Sequence, residues 1–358
     1  MRIGIIGAGQ LGQMLGFAAR DLGMQCQFID PSPDPPAAVC GPVIRAAFDD
    51  PDALATLARN SDVVTYEFEN VPVAALEKIS DQVTVYPPPS ALRFAQDRLA
   101  EKQLFSNLDI PLPAFHPVDS LADLEAAAET IGLPLVLKTR RLGYDGKGQF
   151  VVKQQADIAA AWRQLGSRDL IAEEWINFDY EVSAIGARND SGDFITYPLT
   201  QNEHVDGILR VSRAPVADES LMQRAEQYMH RLLQHLNYVG VLALELFVAG
   251  DRLLANEFAP RVHNSGHWSI EGAKPSQFTA HLMAISDRQL ETPSLCGYAG
   301  MLNLIGDIPE PARQLSNGTL HDYGKEARPG RKLGHITVVA DTIEAREQLL
   351  AQISQIVT

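Results

Sequence analysis

The chain has 358 residues, 46% hydrophobic and 21% charged, which suits a soluble globular protein of two or three domains rather than a disordered or fibrous one. Its 45 acidic against 30 basic residues give a formal net charge of -15, which argues against nucleic acid or anionic lipid as partners while leaving room for a small anion in a local basic pocket. The cysteines Cys26, Cys40 and Cys296 lack metal-ligand spacing and suit free thiols in a reducing cytoplasm, and neither an export signal nor an apolar run of membrane-spanning length is expected.

Residues 3–6 form an apolar run that ends at Gly7, followed by a helical pattern through Leu11, Met14, Leu15 and Ala18 and a second short strand at 27–30. This is a βαβ opening. Apolar runs at 63–66 and 83–86 continue the alternation, so a parallel, doubly wound sheet is expected. Pro87-Pro88-Pro89 breaks the pattern and marks a first domain boundary, giving a Rossmann-like domain over 1–89.

The glycines of Gly7-Ala8-Gly9-Gln10-Leu11-Gly12, with Asp30 ending the next strand, allow close approach of a ligand to backbone N–H groups at a helix N-terminus. Taken alone the pattern fits a dinucleotide, another phosphate ligand or a tight turn, so an NAD-dependent dehydrogenase is a competing reading here.

A helix is expected over 90–108, then a strand at 133–138 and its hairpin partner at 149–153 across Arg140-Arg141-Leu142-Gly143-Tyr144-Asp145-Gly146-Lys147-Gly148. Three glycines beside the fixed charge of Lys138 suit a mobile loop that folds over a triphosphate, although the ending of a Walker A loop is absent. The bland alternative is a solvated hairpin turn.

Strands are expected at 170–173, 180–187, 239–248 and 252–258, with an amphipathic helix over 219–236. Glu245 interrupts an apolar strand, where an uncompensated charge is costly. An odd-length hairpin loop centred on Asp251 sets Glu257 opposite Glu245, on one face. Two opposed carboxylates suit a divalent cation of the kind that also takes nucleotide phosphates; the alternative is that each pairs with a core arginine.

Ala259-Pro260-Arg261-Val262-His263-Asn264-Ser265-Gly266-His267-Trp268 follows directly and concentrates a cation, two imidazoles, an amide and a hydroxyl, which suits a small anion. Lys325-Glu326-Ala327-Arg328-Pro329-Gly330-Arg331-Lys332 is a basic turn suited to another anion, or merely a solvated one. Short strands from 294 and a closing helix from Ile343 read as a small β-rich C-terminal domain over 294–358.

Gly-Gln-Leu-Gly at 9–12, Gly-Tyr-Asp-Gly-Lys-Gly at 143–148, Asn-Glu-Phe-Ala-Pro-Arg-Val-His-Asn-Ser-Gly-His-Trp at 256–268 and Arg-Pro-Gly-Arg-Lys at 328–332 together resemble the ATP-grasp superfamily, over nearly the whole chain. The resemblance implies an α/β and α+β protein whose ATP-grasp domain spans 90–293, with a mobile lid at about 113–175. It further implies a ligase, a cytoplasmic homodimer, that makes carboxyphosphate from bicarbonate and ATP and carboxylates the amine of aminoimidazole ribonucleotide.

By the same resemblance ATP meets Arg98, Lys138, Gly143, Tyr144, Asp145, Gly146, Lys147, Gly148, Gln149, Glu173, Glu174, Trp175, Ile176, Glu181, His204, Asn256 and Glu257. Magnesium, or manganese, is held by Glu245 and Glu257. Bicarbonate is surrounded by Arg261, His263, Asn264 and His267, and the ribonucleotide by Gln10, Glu67, Tyr144, Asp145, Lys325, Arg331 and Lys332. Trp175 stands where the family pattern suggests a small residue. Other ATP-grasp ligases, among them formate-dependent glycinamide ribonucleotide transformylase, biotin carboxylase and D-alanine ligase, share the metal pair. A non-catalytic nucleotide sensor needs no cluster at 261–268.

Overall fold

The computed structural model describes residues 1–143, 148–166 and 168–357. Its first unit is a four-stranded parallel sheet in the order Val43–Ile44, Gln25–Ile29, Arg2–Ile6, Val63–Tyr66. Ile3, Ile5 and Phe28 pack on one face against helix Gln10–Asp21, while Ile6, Ile29 and Val64 pack on the other against Pro51–Asn60 and Val73–Ile79. Both faces are therefore buried, as a parallel sheet needs. The apolar run at 83–86 does not add a strand: its pairing is a single parallel bridge, Val64 to Val85.

The expected single helix over 90–108 is two helices, Pro89–Ala95 and Arg98–Asn107. The break has a local cause. The Asp97 carboxylate accepts from Leu99 N at 3.0 Å and Ala100 N at 3.4 Å, so it caps the second helix and cannot lie inside a continuous one.

A four-stranded antiparallel sheet follows, ordered Phe115–Val118, Leu170–Glu174, Leu135–Thr139, Gln149–Val152, with helices Leu121–Ile131 and Ile158–Leu165 over its apolar side. Apart from a two-stranded pair of Ala273–Lys274 with Ser294–Leu295, the remaining strands form one antiparallel sheet of nine. From one edge it runs Arg252–Ala259, Gly240–Ala249, Tyr180–Arg188, Thr200–Val205, Ile208–Ala214, Tyr298–Ile305, Lys332–Ala340, Thr319–Asp322, with Phe194–Thr196 attached to Tyr180–Arg188. Helix Glu219–His235 covers one face through Leu221, Ala225, Met229 and Leu232. Strands from the last quarter of the chain thus extend the same sheet that carries the two glutamates.

The hairpin between those glutamates differs from expectation. Ala249 pairs with Arg252 across a two-residue turn, which Gly250 enters at φ +60°, a conformation L side chains rarely adopt. That even-length turn sets Leu246 opposite Ala255 and would set Glu245 opposite Asn256. Instead the register shifts by one residue between Glu245 and Leu246, and Glu245 comes opposite Glu257. A β-bulge at Asn256, not an odd loop, brings the carboxylates together.

Candidate active site

One cleft of about 430 Å³ lies between the four-stranded antiparallel sheet and the nine-stranded sheet. It is lined by Arg98, Lys138, Gly143, Gln149, Glu181, His204, Glu245, Asn256, Glu257, Arg261, His263, Asn264 and Lys332. The strand Gly240–Ala249 was expected to be apolar on both faces, yet Glu245 and Phe247 open onto the cleft, while Leu242, Leu244 and Leu246 face the core under helix Glu219–His235. The side chain of Glu257 is 42% exposed, opening onto the cleft.

Both glutamates have protein partners. Arg98 Nη1 lies 3.0 Å from Glu257 Oε2. Burial pushes the Glu257 carboxyl up, but the guanidinium overcomes it and the net direction is down. Glu245 goes the other way, raised by burial and by the neighbouring Glu257. His263 Nε2 is 3.1 Å from Glu245 Oε1. Burial first, then Arg261, holds the His263 imidazole well below its ordinary range, so it is neutral at pH 7. Its Nδ1 accepts from Ser265 N at 3.4 Å, which puts the proton on Nε2, donated to Glu245.

A directly opposed pair of carboxylates, one with a raised proton affinity, is a donor set that a hard divalent cation fits. Among the described residues no group of three or more His, Cys, Asp or Glu side chains is arranged to cage a metal alone. Magnesium does not need such a cage, since it is commonly held by one or two carboxylates together with substrate phosphates and water.

Around this pair stands a band of charge. Lys138 Nζ is 2.9 Å from Glu173 Oε2, and the fully buried Lys102 reaches the same oxygen at 3.6 Å. Burial raises the Glu173 carboxyl, yet Lys102, Lys138 and Arg98 hold it down to about 2. His204 Nδ1 contacts Glu181 Oε2; burial disfavours the imidazolium, Glu181 favours it, and the net direction is up. Asp97 accepts from Arg140 Nε at 3.1 Å and Nη2 at 2.8 Å, clasping the start of the glycine-rich loop to helix Arg98–Asn107. Gly148, at φ +74°, ends that loop, and a Cβ there would lie 2.7 Å from Thr139 Oγ1. Tyr144, Asp145, Gly146 and Lys147 lie outside the described residues.

Glu174, Trp175, Ile176 and His267 sit apart from the cleft lining, whereas Arg261 and Asn264, which belong to it, are tied to neighbouring side chains. Glu174 Oε2 accepts from Ala114 N at 3.1 Å, Trp175 is exposed with Nε1 donating to Asn177, and Ile176 packs with Ala249 and Leu254. His267 is fully buried; Gln277 Nε2 is 3.3 Å from its Nδ1, and its ring lies 5.0 Å from that of His335. Asn264 exchanges two hydrogen bonds with Asn303, at 3.0 and 2.8 Å, and Arg261 Nε donates to Glu69 at 3.0 Å.

The glycine loop is already occupied by the protein's own carboxylates. Gly9 N donates to Glu67 Oε1 at 2.6 Å, Gly12 N to Glu67 Oε2 at 3.0 Å, and Ala8 N to Asp30 Oδ2 at 2.9 Å. Glu67 thus sits where a dinucleotide pyrophosphate would, and the dehydrogenase reading loses its one supporting motif. Gln10 Oε1 accepts from Lys325 Nζ, which approaches the glycine loop from the far end of the chain. Burial and the nearby Arg331 bring the Lys325 ammonium down to about 8. Arg331 Nη1 donates to Glu326 O at 3.1 Å, bracing the basic turn, and Lys332 follows into the cleft.

Sequence reasoning missed Glu101, Lys102, Glu69, Phe178 and Asn303. Arg98, Glu101 and Lys102 stand at i, i+3 and i+4 on one helix face, a signal that was present. Phe178 stacks on Phe247 at 4.8 Å within the cleft wall, a contact between distant segments that no local pattern announces.

Two antiparallel sheets that place lysines, arginines and a carboxylate pair around one cleft define an ATP-grasp enzyme. Family models agree: the ATP-grasp domain matches residues 103–278, the ribonucleotide synthetase preATP-grasp domain 1–96, and the phosphoribosylaminoimidazole carboxylase C-terminal domain 299–349. The chain belongs to the N5-carboxyaminoimidazole ribonucleotide synthase family. It is 49% identical to the N5-carboxyaminoimidazole ribonucleotide synthase of Pseudomonas aeruginosa, over 97% of both chains. The N5-carboxyaminoimidazole ribonucleotide synthetase of Thermus thermophilus superposes with a TM-score of 0.96 at 47% identity, covering 99% of this chain and 98% of that one. The Aspergillus clavatus synthase solved with ADP and 5-aminoimidazole ribonucleotide gives 0.92 at 32% identity, covering 99% and 98%.

Proposed function

We propose that this chain is an ATP-dependent carbon–nitrogen ligase that forms N5-carboxyaminoimidazole ribonucleotide from aminoimidazole ribonucleotide, bicarbonate and ATP, releasing ADP and phosphate. The observation that carries the reading is the opposition of Glu245 and Glu257 in a cleft that also holds Lys138, Arg261, His263, Asn264 and Lys332. Bicarbonate is a poor electrophile. A bicarbonate oxygen attacks the γ-phosphorus and ADP leaves; the amine nitrogen then bonds to the carboxyl carbon, directly or after release of CO₂, as phosphate departs.

In-line phosphoryl transfer needs positioning and charge neutralisation more than covalent participation by the protein. Arg98 and Lys138 supply fixed positive charge for the phosphates, with Gly143, Gly148, Gln149, Glu173, Glu181, His204 and Asn256 arranged around the nucleotide. Tyr144, Asp145, Gly146 and Lys147 complete the loop, and Glu174, Trp175 and Ile176 take the adenine end. Glu245 and Glu257 would hold magnesium, or manganese, which would supply positive charge against the phosphates. Arg261, His263 and Asn264, with His267 behind them, keep bicarbonate in line. Gln10, Glu67, Lys325, Arg331 and Lys332, joined by Tyr144 and Asp145, hold the ribonucleotide.

The division at 89/90 and 293/294, a lid over 113–175 that opens to admit ATP, a homodimer and a cytoplasmic location belong to the same reading. Its test is ADP release with paired substrates. Release should require bicarbonate and aminoimidazole ribonucleotide together; equal stimulation by formate with glycinamide ribonucleotide would assign the cleft to the rival transformylase.

A further inference from the structure

The strand Arg252–Ala259 lies at the edge of its sheet, so its outward N–H and C=O groups need partners beyond the sheet. In a regular edge strand outward donors fall an even number of residues apart. Here they do not. Ala255 N donates outward to Pro111 O at 2.7 Å, whereas the next outward donor, Phe258 N, lies three residues on and donates to Glu101 Oε1 at 2.8 Å. Only the bulge at Asn256 permits that parity change. Between these two donors the Asn256 carbonyl accepts from Lys102 Nζ.

Helix Arg98–Asn107 therefore grips three consecutive residues through one face: Lys102 on the Asn256 carbonyl, Arg98 on the Glu257 carboxylate and Glu101 on the Phe258 amide. Lys102 and Glu101 are 0% and 2% exposed, so neither grip is a loose surface contact. A strand without the bulge would present Glu257 N in place of Phe258 N and would set Asn256 opposite Glu245. Lys102 also stands 3.6 Å from Glu173 Oε2 on the strand Leu170–Glu174, the oxygen that Lys138 engages at 2.9 Å. One ammonium thus ties the bulge to the four-stranded antiparallel sheet.

We infer that Glu101 and Lys102 are positioning residues that select the bulged register of strand 252–259 and so create the cation site. The inference rests on the reading that Glu245 and Glu257 hold the divalent cation. Ordinary helix packing would also explain an apolar contact here, but not two buried polar side chains aimed at backbone groups on either side of Glu257.

The test reads metal binding rather than turnover: Mn²⁺ titrated into ADP-loaded full-length protein, followed by the enhancement of water proton relaxation. Outer partners of metal ligands typically contribute about 10–100-fold to affinity. Lys102→Met should weaken Mn²⁺ by about that factor in a protein whose circular dichroism is unchanged. Glu101→Leu should do likewise, and Glu101→Gln, which keeps an acceptor for Phe258 N–H, should lose several-fold less. Lys102→Gln serves if Lys102→Met does not fold. Wild-type Mn²⁺ affinity in a folded Lys102 variant, or equal losses for the two Glu101 variants, would overturn the inference alone. Wild-type affinity in Glu257→Gln would instead overturn the metal assignment beneath it.

Discussion

Arg98 Nη1 sits 3.0 Å from Glu257 Oε2, so one carboxylate of the opposed pair is engaged by a guanidinium. Removing that charge has a definite sign. Glu257 is held low chiefly because Arg98 outweighs burial, and in Arg98→Met its proton affinity rises. The acidic limb of ADP production should move to higher pH, and KM for ATP should increase at least about tenfold. A pH–rate profile superimposable on wild type would refute the pairing.

Glu257→Gln keeps the size of the side chain and removes the anionic oxygens. ATP hydrolysis should be abolished while the thermal midpoint stays within a few degrees, because Glu257 opens onto the cleft and does not fill the core. Unchanged turnover would sink the metal assignment.

Glu173 links strand Leu170–Glu174 to helix Arg98–Asn107 through Lys102. Its carboxyl lies at about 2, below its ordinary 4.5, so its contribution to stability is present above about 4.5 and fades as pH falls towards 2. Glu173→Gln should lower stability at pH 7 by on the order of 3 kcal/mol, and the difference from wild type should shrink between pH 5 and pH 2. Urea denaturation at several pH values measures it; a difference constant across that range contradicts the assignment.

Lys325 approaches the glycine loop with its ammonium brought down to about 8. The cationic form is the one that attracts a phosphate, and it is lost as pH rises through that value. KM for the ribonucleotide should therefore climb above pH 8 while KM for ATP stays level. Lys325→Met should raise the ribonucleotide KM at pH 7 and flatten the profile. Arg331→Ala should raise it too, again more than the KM for ATP.

Gly16 lies within helix Gln10–Asp21, where alanine normally stabilises by about 1 kcal/mol. Here a Cβ would fall 2.4 Å from Cys40 Cβ and 2.8 Å from Cys40 Sγ. Gly16→Ala should therefore lower the thermal midpoint, and a rise would show that the chain at Cys40 yields easily.

Much of this architecture was legible along the chain because it is local. Apolar runs marked the strands at 180–187 and 239–248, and the amphipathic period marked the helix at 219–236. The charges meant for the cleft were found because they interrupt apolar strands or cluster after one. What escaped depends on pairing between distant segments. The hairpin loop was misjudged because a bulge leaves no signature in turn chemistry, and the outward amides that reveal it need helix Arg98–Asn107 in place. The break at Asp97 was missed although an Asp before a helical run is an ordinary cap signal. The glycine loop was ambiguous because sequence cannot say whether its N–H groups face a ligand or Glu67, fifty-five residues beyond Gly12.

The three family models match successive stretches of chain, yet the nine-stranded sheet passes from the second into the third without interruption, through the pairing of Ile208–Ala214 with Tyr298–Ile305. The final segment is consequently not a detachable module. Cutting the chain before residue 294 would bare the 211–214 stretch of an inner strand, which now pairs with 299–302, and such an edge templates intermolecular pairing. Domain shuffling within this fold is thus constrained by strand adjacency, and a boundary drawn from sequence similarity is a poor place to divide the gene.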